Sequence, residues 1–349
     1  MSATLVSQPA TAGVRRNPLD LSGVIGTFMG RDALALAASY LALGSGDTVL
    51  LPAYNCKEVV RPFAQRTNIA LYDVQPDLTI NPDEIRARLR ATNARVMVLI
   101  NYFGFLQPYR AELKKICTDS GVVLIEDCAH SLLTEESGDT GDLSVYSFRK
   151  LLPLPDGGGL RIHLEGRQVR TKFHPALYSN VLSVLSSIKS MLKVRSDKLS
   201  RAGFADGKEN LRSSSPLRQE ETYTLPLSWF ARRGLAKSNW REAIERKRED
   251  FGYWQGICKG DRRLAPVFEK LVEGVCPIGY PIRIRNRESI VAQARAEGVQ
   301  LRVHWRLAAS VEAECVNSYR LSTETLTLPV FPELGRKERE VVTRLISAA

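Results

Sequence analysis

Short, strongly apolar runs and amphipathic runs take turns along the first half of this chain. TVLLPAY (48–54), ALYDV (70–74), VMVLINYFG (96–104), GVVLIEDCAH (121–130) and LSVYSF (143–148) are rich in Val, Leu and Ile, the pattern of strands covered on both faces. Between them ALALAASYLAL, EVVRPFAQR, NPDEIRARLR and YRAELKKICTDSG repeat apolar residues every three or four positions, as helices with one buried face do. The alternation predicts a mostly parallel sheet with helices on both faces, an α/β fold. Punctuation agrees: Asn81-Pro82 supplies a cap and a proline for a helix start, and Ser120-Gly121 ends a helix before the next strand.

The pattern changes after about Tyr178. SNVLSVLSSIKSMLKVRSDKLSRAG sets Val181, Leu182, Leu185, Ile188, Leu192 and Val194 near one helical face, with Lys189, Lys193, Arg195, Lys198 and Arg201 supplying charge. The plain reading is a surface or dimer-packing helix; the sharper one is weak contact with a membrane surface through 178–201, or with a lipid-linked substrate. A polar loop follows, then a long charged helix (WREAIERKREDFGYWQGI) and a further series (VCPIGYPIRI, RESIVAQARAEG, VQLRVHW, KEREVVTRLISAA) expected to alternate strands and helices. The organisation expected is an N-terminal arm (1–22), a large domain (23–235) with a basic amphipathic insertion at about 178–221, and a smaller C-terminal α/β domain (236–349).

Composition adds limits rather than identity. A chain of 349 residues with 44% hydrophobic and 25% charged residues is ordinary for a globular protein. It has neither a run of eighteen apolar residues nor a signal-peptide pattern, so a cytoplasmic protein is expected. Six scattered cysteines, with no CxxC pair and no cysteine–histidine cluster, read as buried thiols and call for no metal. The net charge of +11 suits an anionic small molecule; no nucleic acid is expected, because no recognition motif accompanies the spread of basic residues.

In a sheet of this kind ligands sit at the carboxyl ends of the strands. The residues there are Tyr54, Asn55, Cys56, Asn101, Tyr102, Asp127, His130, Ser147 and Lys150. Asp127 ends an apolar strand in IEDCAHS, with His130 three residues on, and Lys150 lies in YSFRKLLPLPDGGGL at the end of the following strand. Asp127 alone could be a helix cap. A buried acid and a lysine at one sheet edge suit pyridoxal 5′-phosphate, whose ring nitrogen the acid keeps protonated and whose aldehyde the lysine holds.

Five ordered blocks carry a resemblance. GRDALALAASYLALGSGDTVLLPAY, NYFGFLQP, VVLIEDCAHS, SVYSFRKLLPLPDGGGL and LTLPVFPELGRKEREVV together resemble the DegT/StrS-type family of pyridoxal-phosphate sugar aminotransferases, with the type I aspartate-aminotransferase fold. The resemblance implies that Lys150 anchors the cofactor and shuttles protons, that Asp127 pairs with the pyridine nitrogen, and that His130 lies near the ring. It implies a phosphate cradle at Gly30, Arg31 and Asp32, helped by Ser147, although a plain N-cap with Asp32 capping also fits that turn. Tyr54 or Cys56 would cover the ring; Asn101, Tyr102, His304 and Trp305 would line the substrate side, with core packing the alternative for the last two. Two departures stand out: Arg31 and Asp32 occupy a Ser/Thr position of the family, and the lysine block is about two residues short.

The implied activity is transfer of an amino group from glutamate or glutamine to a keto-sugar, most readily a nucleotide-linked one, by a homodimer with shared sites. Two other readings stay open: a cofactor-fold protein whose role is binding or regulation, and an aminotransferase acting on a non-sugar ketone.

Overall fold

The computed structural model describes residues 20–164, 172–185, 187 and 223–348. Most of the expected arm (1–22) and of the insertion at about 178–221 lies outside these residues.

The central layer is a seven-stranded sheet in the order β1-β7-β6-β5-β4-β2-β3. Its strands are β1 (Val24–Thr27), β2 (Thr48–Pro52), β3 (Asn68–Tyr72), β4 (Val96–Ile100), β5 (Val123–Asp127), β6 (Leu143–Ser147) and β7 (Gly158–Ile162). Only β7 runs against its neighbours. The four apolar runs that became β2, β4, β5 and β6 are buried almost throughout, as strands covered on both faces must be.

Helices α1 (Gly30–Tyr40), α2 (Lys57–Ala64), α3 (Pro82–Thr92) and α4 (Arg110–Asp119) connect the strands. Their ends follow the punctuation in the sequence. The Asn81 side chain accepts from the Asp83 N–H at 2.9 Å with Pro82 opening α3, and α4 stops at Ser120 before Gly121 turns left-handed at φ +67°.

A helix over 176–185, α5, follows the short strand β8 (Lys172–Phe173), which pairs with β9 (Tyr223–Thr224). Then come α6 (Trp229–Lys237) and the long α7 (Trp240–Cys258). A second layer system is built from β10 (Ala265–Pro266), β11 (Tyr280–Arg283) and β12 (Thr325–Leu328), with α8 (Arg287–Ala296), α9 (Val316–Glu324) and α10 (Arg336–Ser347). Its core is separate from that of the large sheet and gathers Phe251, Trp254, Ile282, Leu326 and Val342.

One expectation is corrected here. The stretch 299–305 forms no strand and makes a single bridge, Arg302 to Thr327. The chain instead runs toward the seven-stranded sheet and brings His304 and Trp305 against Tyr54 and His130.

Several contacts lock the two cores together. Phe105 stacks on Phe268 with centroids 3.7 Å apart, and Asp73 accepts from the Asn317 and Ser318 N–H groups at the start of α9, at 3.0 and 2.7 Å. Gly104 sits at φ +100°, and a Cβ there would lie 2.2 Å from the Cys276 carbonyl oxygen. No other residue tolerates both the backbone angle and that approach. Gly104→Ala is expected to lower the unfolding free energy by about 1–3 kcal/mol from backbone strain alone, read from the urea midpoint.

Candidate functional site

The carboxyl ends of β5 and β6 bring Asp127 and Lys150 together. Asp127 is the last residue of β5 and is buried, with one carboxylate oxygen accepting from the Ala129 N–H at 2.9 Å. Burial pushes this carboxyl's pKa up, and the nearby Lys150 ammonium and the Ala129 N–H pull it back. Its other oxygen has no hydrogen-bond donor among the described residues.

Lys150 closes a 3₁₀ turn, Phe148–Lys150, that follows β6. Phe148, Leu151 and Leu152 sink into a small core with Leu132, Leu133 and Leu227, so Arg149 and Lys150 emerge between buried neighbours toward solvent. Apolar residues flanking a two-residue polar step thus present the lysine. Its ammonium has no ion pair among the described residues.

Residues around this pair come from three directions. His130 accepts weakly at Nδ1 from the Phe103 N–H at 3.4 Å and stacks on Trp305, ring centroids 5.4 Å apart. Burial pushes the His130 pKa well down, and the positive charges of Lys150 and His304 push it the same way, so the ring is neutral. His304 is pushed down to about 3 by burial and then by Lys150 and Arg302; its Nδ1 is 2.8 Å from the Thr327 hydroxyl. Trp305, half-buried, also meets the Tyr54 ring edge-on at 5.1 Å and Tyr102 at 6.1 Å.

Of the two residues expected to cover a ligand ring, Tyr54 is fully buried and its hydroxyl donates to the His304 carbonyl. Cys56, the residue before α2, is partly accessible and lies within the field of both Lys150 and Asp127. Burial keeps its thiol protonated. Tyr102 donates to the Tyr54 carbonyl at 2.7 Å and is buried, so its phenol is committed to the scaffold.

Asn101 is also committed. Its amide nitrogen donates to Glu126 at 2.8 Å and its oxygen accepts from the Gln107 N–H at 3.1 Å, which leaves it turned into the core rather than toward a substrate. Glu126 itself was not anticipated. This wholly buried carboxylate also accepts from the N–H groups of Gly138, Thr140 and Gly141 at 3.1, 2.9 and 3.0 Å. Strand alternation turns it to the face opposite Asp127. The signal in the sequence was the adjacent pair of acids at a strand end.

At the other side of the lysine turn, β7 abuts the start of α1. A Cβ at Gly158 would lie 2.3–2.5 Å from Met29 and the Gly30 nitrogen, so only glycine allows this contact. It places Ser147, buried and with its hydroxyl unpartnered among the described residues, against Gly30, 3.4 Å between Ser147 Cβ and a Cβ built on Gly30. The α1 start has no side-chain cap, contrary to the plain N-cap reading of Asp32, which instead sits in the first turn. Arg31 pairs with Glu58 at 2.5 Å while its buried Nε has no partner. Desolvation by the surrounding protein, and then the charges of Arg31 and Arg302, lower the Arg149 pKa. On this side of Lys150 lie the start of α1, the Ser147 hydroxyl and the Arg31 guanidinium, with Arg149 in the field of Arg31 and Arg302.

Residues 20–162 match the DegT/DnrJ/EryC1/StrS aminotransferase family. The match to this family covers β1 through β7, and with them Asp127, His130, Lys150 and the α1 start. A dTDP-4-dehydro-2,3,6-trideoxy-D-glucose 4-aminotransferase of Saccharopolyspora spinosa is 33% identical over 139 residues, 37% of this chain and 35% of that enzyme. The chain thus spans about a third of the length of that curated relative. A pleiotropic regulatory protein of Geobacillus stearothermophilus is 22% identical over 93% of this chain and 84% of its own. Among solved structures, a Streptococcus pneumoniae protein described as a sugar aminotransferase, in its PLP form, superposes with TM-score 0.66 at 16% identity, over 93% of this chain and 86% of its own. The fold is that of the PLP-dependent aminotransferases.

Glu126→Gln is expected to cost about 1–3 kcal/mol of stability in denaturant unfolding, because the amide nitrogen replaces an oxygen that accepts two of the four donors. The histidines set a pH dependence. Both are neutral in the fold and titrate near 6.5 when unfolded, so the unfolded chain binds more protons as pH falls. Stability should therefore be full above pH 6.5 and decline from there toward about 3, with up to about 1.4 kcal/mol per pH unit from each histidine. His304→Gln should flatten that slope in pH-resolved urea melts.

Proposed function

We propose that the protein is a pyridoxal-phosphate-dependent aminotransferase that moves an amino group from glutamate or glutamine to a keto-sugar, with a nucleotide-linked sugar as the favoured substrate. The observation that carries this reading is the pairing of Lys150 with Asp127 at one sheet edge, where Asp127 has burial, a single N–H donor and an open second oxygen. These features fit a protonated ring nitrogen, and the cradle of Gly30, Arg31 and Ser147 fits a phosphate.

When bound, the cofactor supplies an electron sink that stabilises negative charge on the carbon losing its proton. Lys150 would hold the cofactor's carbonyl carbon through its Nζ and, once released, carry the proton between that carbon and the substrate carbon. Asp127 would hold the proton on the ring nitrogen, its carboxylate shielded from water by the end of β5. His130, whose neutral ring accepts at Nδ1, would carry its proton at Nε2 and donate a hydrogen bond at the ring edge without adding charge. Cys56 would meet the exposed face of the ring. Trp305, delivered with His304 from the small domain, would close the substrate side.

The basic side chains Arg31, Arg149, Lys150 and Arg302 on this side of the fold support an anionic ligand. The separate cores support a large cofactor domain (23–235) and a small domain (236–349). A homodimer and a cytoplasmic location belong to the same reading.

A second reading has one observation in its favour: the relative aligned along most of the chain bears a regulatory name. It would keep the cofactor fold and lack turnover. The two readings part on one experiment. After reconstitution, the wild type should show the visible absorption of a lysine-bound cofactor, lose it on adding glutamate or glutamine, and regain it with a keto-sugar, identified by the mass of the aminated product. Lys150→Ala should lack the band and lose turnover by several orders of magnitude. A band that ignores every amino donor would favour the regulatory reading, and a band retained in Lys150→Ala would refute the assignment of the lysine.

A further inference from the structure

Trp305 is carried by a segment with little hold of its own. Residues 299–305 join no strand and make one bridge, Arg302 to Thr327, so secondary structure gives the indole no fixed direction. Ordering such a backbone costs conformational entropy, and the contacts that offset this cost decide where Trp305 points. From β12 the hold is polar: the Thr327 N–H donates to the Arg302 carbonyl at 3.2 Å, and the Thr327 hydroxyl lies 2.8 Å from His304 Nδ1. From the seven-stranded sheet the hold is the Tyr54 phenol, which donates to the His304 carbonyl. That oxygen belongs to the peptide unit linking His304 to Trp305. A peptide unit is a rigid plane, so the bond fixes the plane from which the Trp305 side chain departs.

Tyr54 is itself firmly placed. It lies two residues past β2 and is wholly buried; the Ala53 N–H before it donates to the Tyr72 carbonyl at 2.8 Å, and the Tyr54 carbonyl accepts from the Tyr102 phenol at 2.7 Å. Trp305 is partly accessible. Its indole meets the Tyr54 ring edge-on at 5.1 Å and lies over the His130 ring at 5.4 Å, the planes 27° apart. A displaced indole therefore also disturbs a histidine three residues from Asp127.

We propose that Tyr54 is a positioning residue: through the His304 carbonyl its phenol holds Trp305 as the wall of the substrate side. The family resemblance offered Tyr54 as a cover for the cofactor ring, and the structure commits its hydroxyl to this other task. The link is worth keeping, because a misplacement of about 1 Å away from the reacting atoms can slow an enzyme about a hundredfold. The inference rests on the aminotransferase reading for the substrate that the wall faces, and on the geometry alone for the link from phenol to indole.

The test uses the full chain labelled with 5-fluorotryptophan, whose 4 tryptophans give separate fluorine resonances; loss of one in Trp305→Phe assigns the signal at issue. In the wild type that resonance should be single and narrow. Tyr54→Phe, which keeps the ring and removes the hydroxyl, should shift or broaden it and leave the others in place. With cofactor loaded, Tyr54→Phe should keep the absorption of the lysine-bound cofactor and raise KM for the keto-sugar about tenfold, a larger change than in kcat. A role in packing alone would lower the urea midpoint and leave the Trp305 resonance where it is, and that result overturns the inference. So does a Trp305 resonance already averaged or doubled in the wild type, which is read even if Tyr54→Phe fails to fold. An unchanged KM beside a shifted resonance overturns it too, since Trp305 is then no wall. The fluorine spectra are taken with and without cofactor, so they decide the role of Tyr54 even where the absorption test above goes against the aminotransferase reading.

Discussion

Two adjacent carboxylates end the central strand β5, and the site depends on how differently they are treated. Burying a charge is costly unless other groups replace the water it loses. Glu126 is given four donors, three from the backbone of 138–141 and one from Asn101, so its charge is met by fixed dipoles and it binds the loop and β4 to β5. Asp127, one residue later and on the opposite face, receives a single N–H and the field of Lys150. The first arrangement is complete within the chain; the second is not, and a cationic partner would lower its desolvation penalty most. The same contrast explains why Glu126 is a stability residue while Asp127 faces the cleft.

The scaffold was largely legible in the sequence because its signals are local. Unbroken apolar runs marked the buried parallel strands, and Asn81-Pro82 and Ser120-Gly121 marked helix ends that appear where expected. What the sequence could not convey was orientation across long separations. Asn101 and Tyr102 stand at a strand end, yet their polar atoms bind Glu126, Gln107 and Tyr54 in the core. Tyr54 is sealed by the carbonyl of a residue 250 positions away, a pairing no local pattern announces. The stretch 299–305 alternates like a strand, but its side chains serve the large domain and not a neighbouring strand.

Electrostatics at the cleft mouth follow from the shortened lysine block. With only Phe148 and Arg149 between Ser147 and Lys150, the 3₁₀ turn projects two basic side chains together, because the apolar residues on either side are both held in the core. Arg31, at a position where a hydroxyl would be expected, adds a third cation, and Glu58 and Glu333 hold Arg31 and Arg302 in place without neutralising the group. Burial first, and then the charges of Arg31 and Arg302, lower the Arg149 pKa. An anion placed there would relieve the repulsion that these like charges exert on one another.

The loop after Lys150 connects the lysine turn to helix α6. Asp156 is buried and accepts both the N–H and the hydroxyl of Ser228, so the lysine loop and the start of α6 share one hydrogen-bonded joint. The orientation of Trp229 and Phe230 is therefore tied to the backbone that presents Lys150. The two hydrogen bonds at Asp156 thus hold the start of α6 and the turn that carries Lys150 in one fixed relation, and losing them would loosen both.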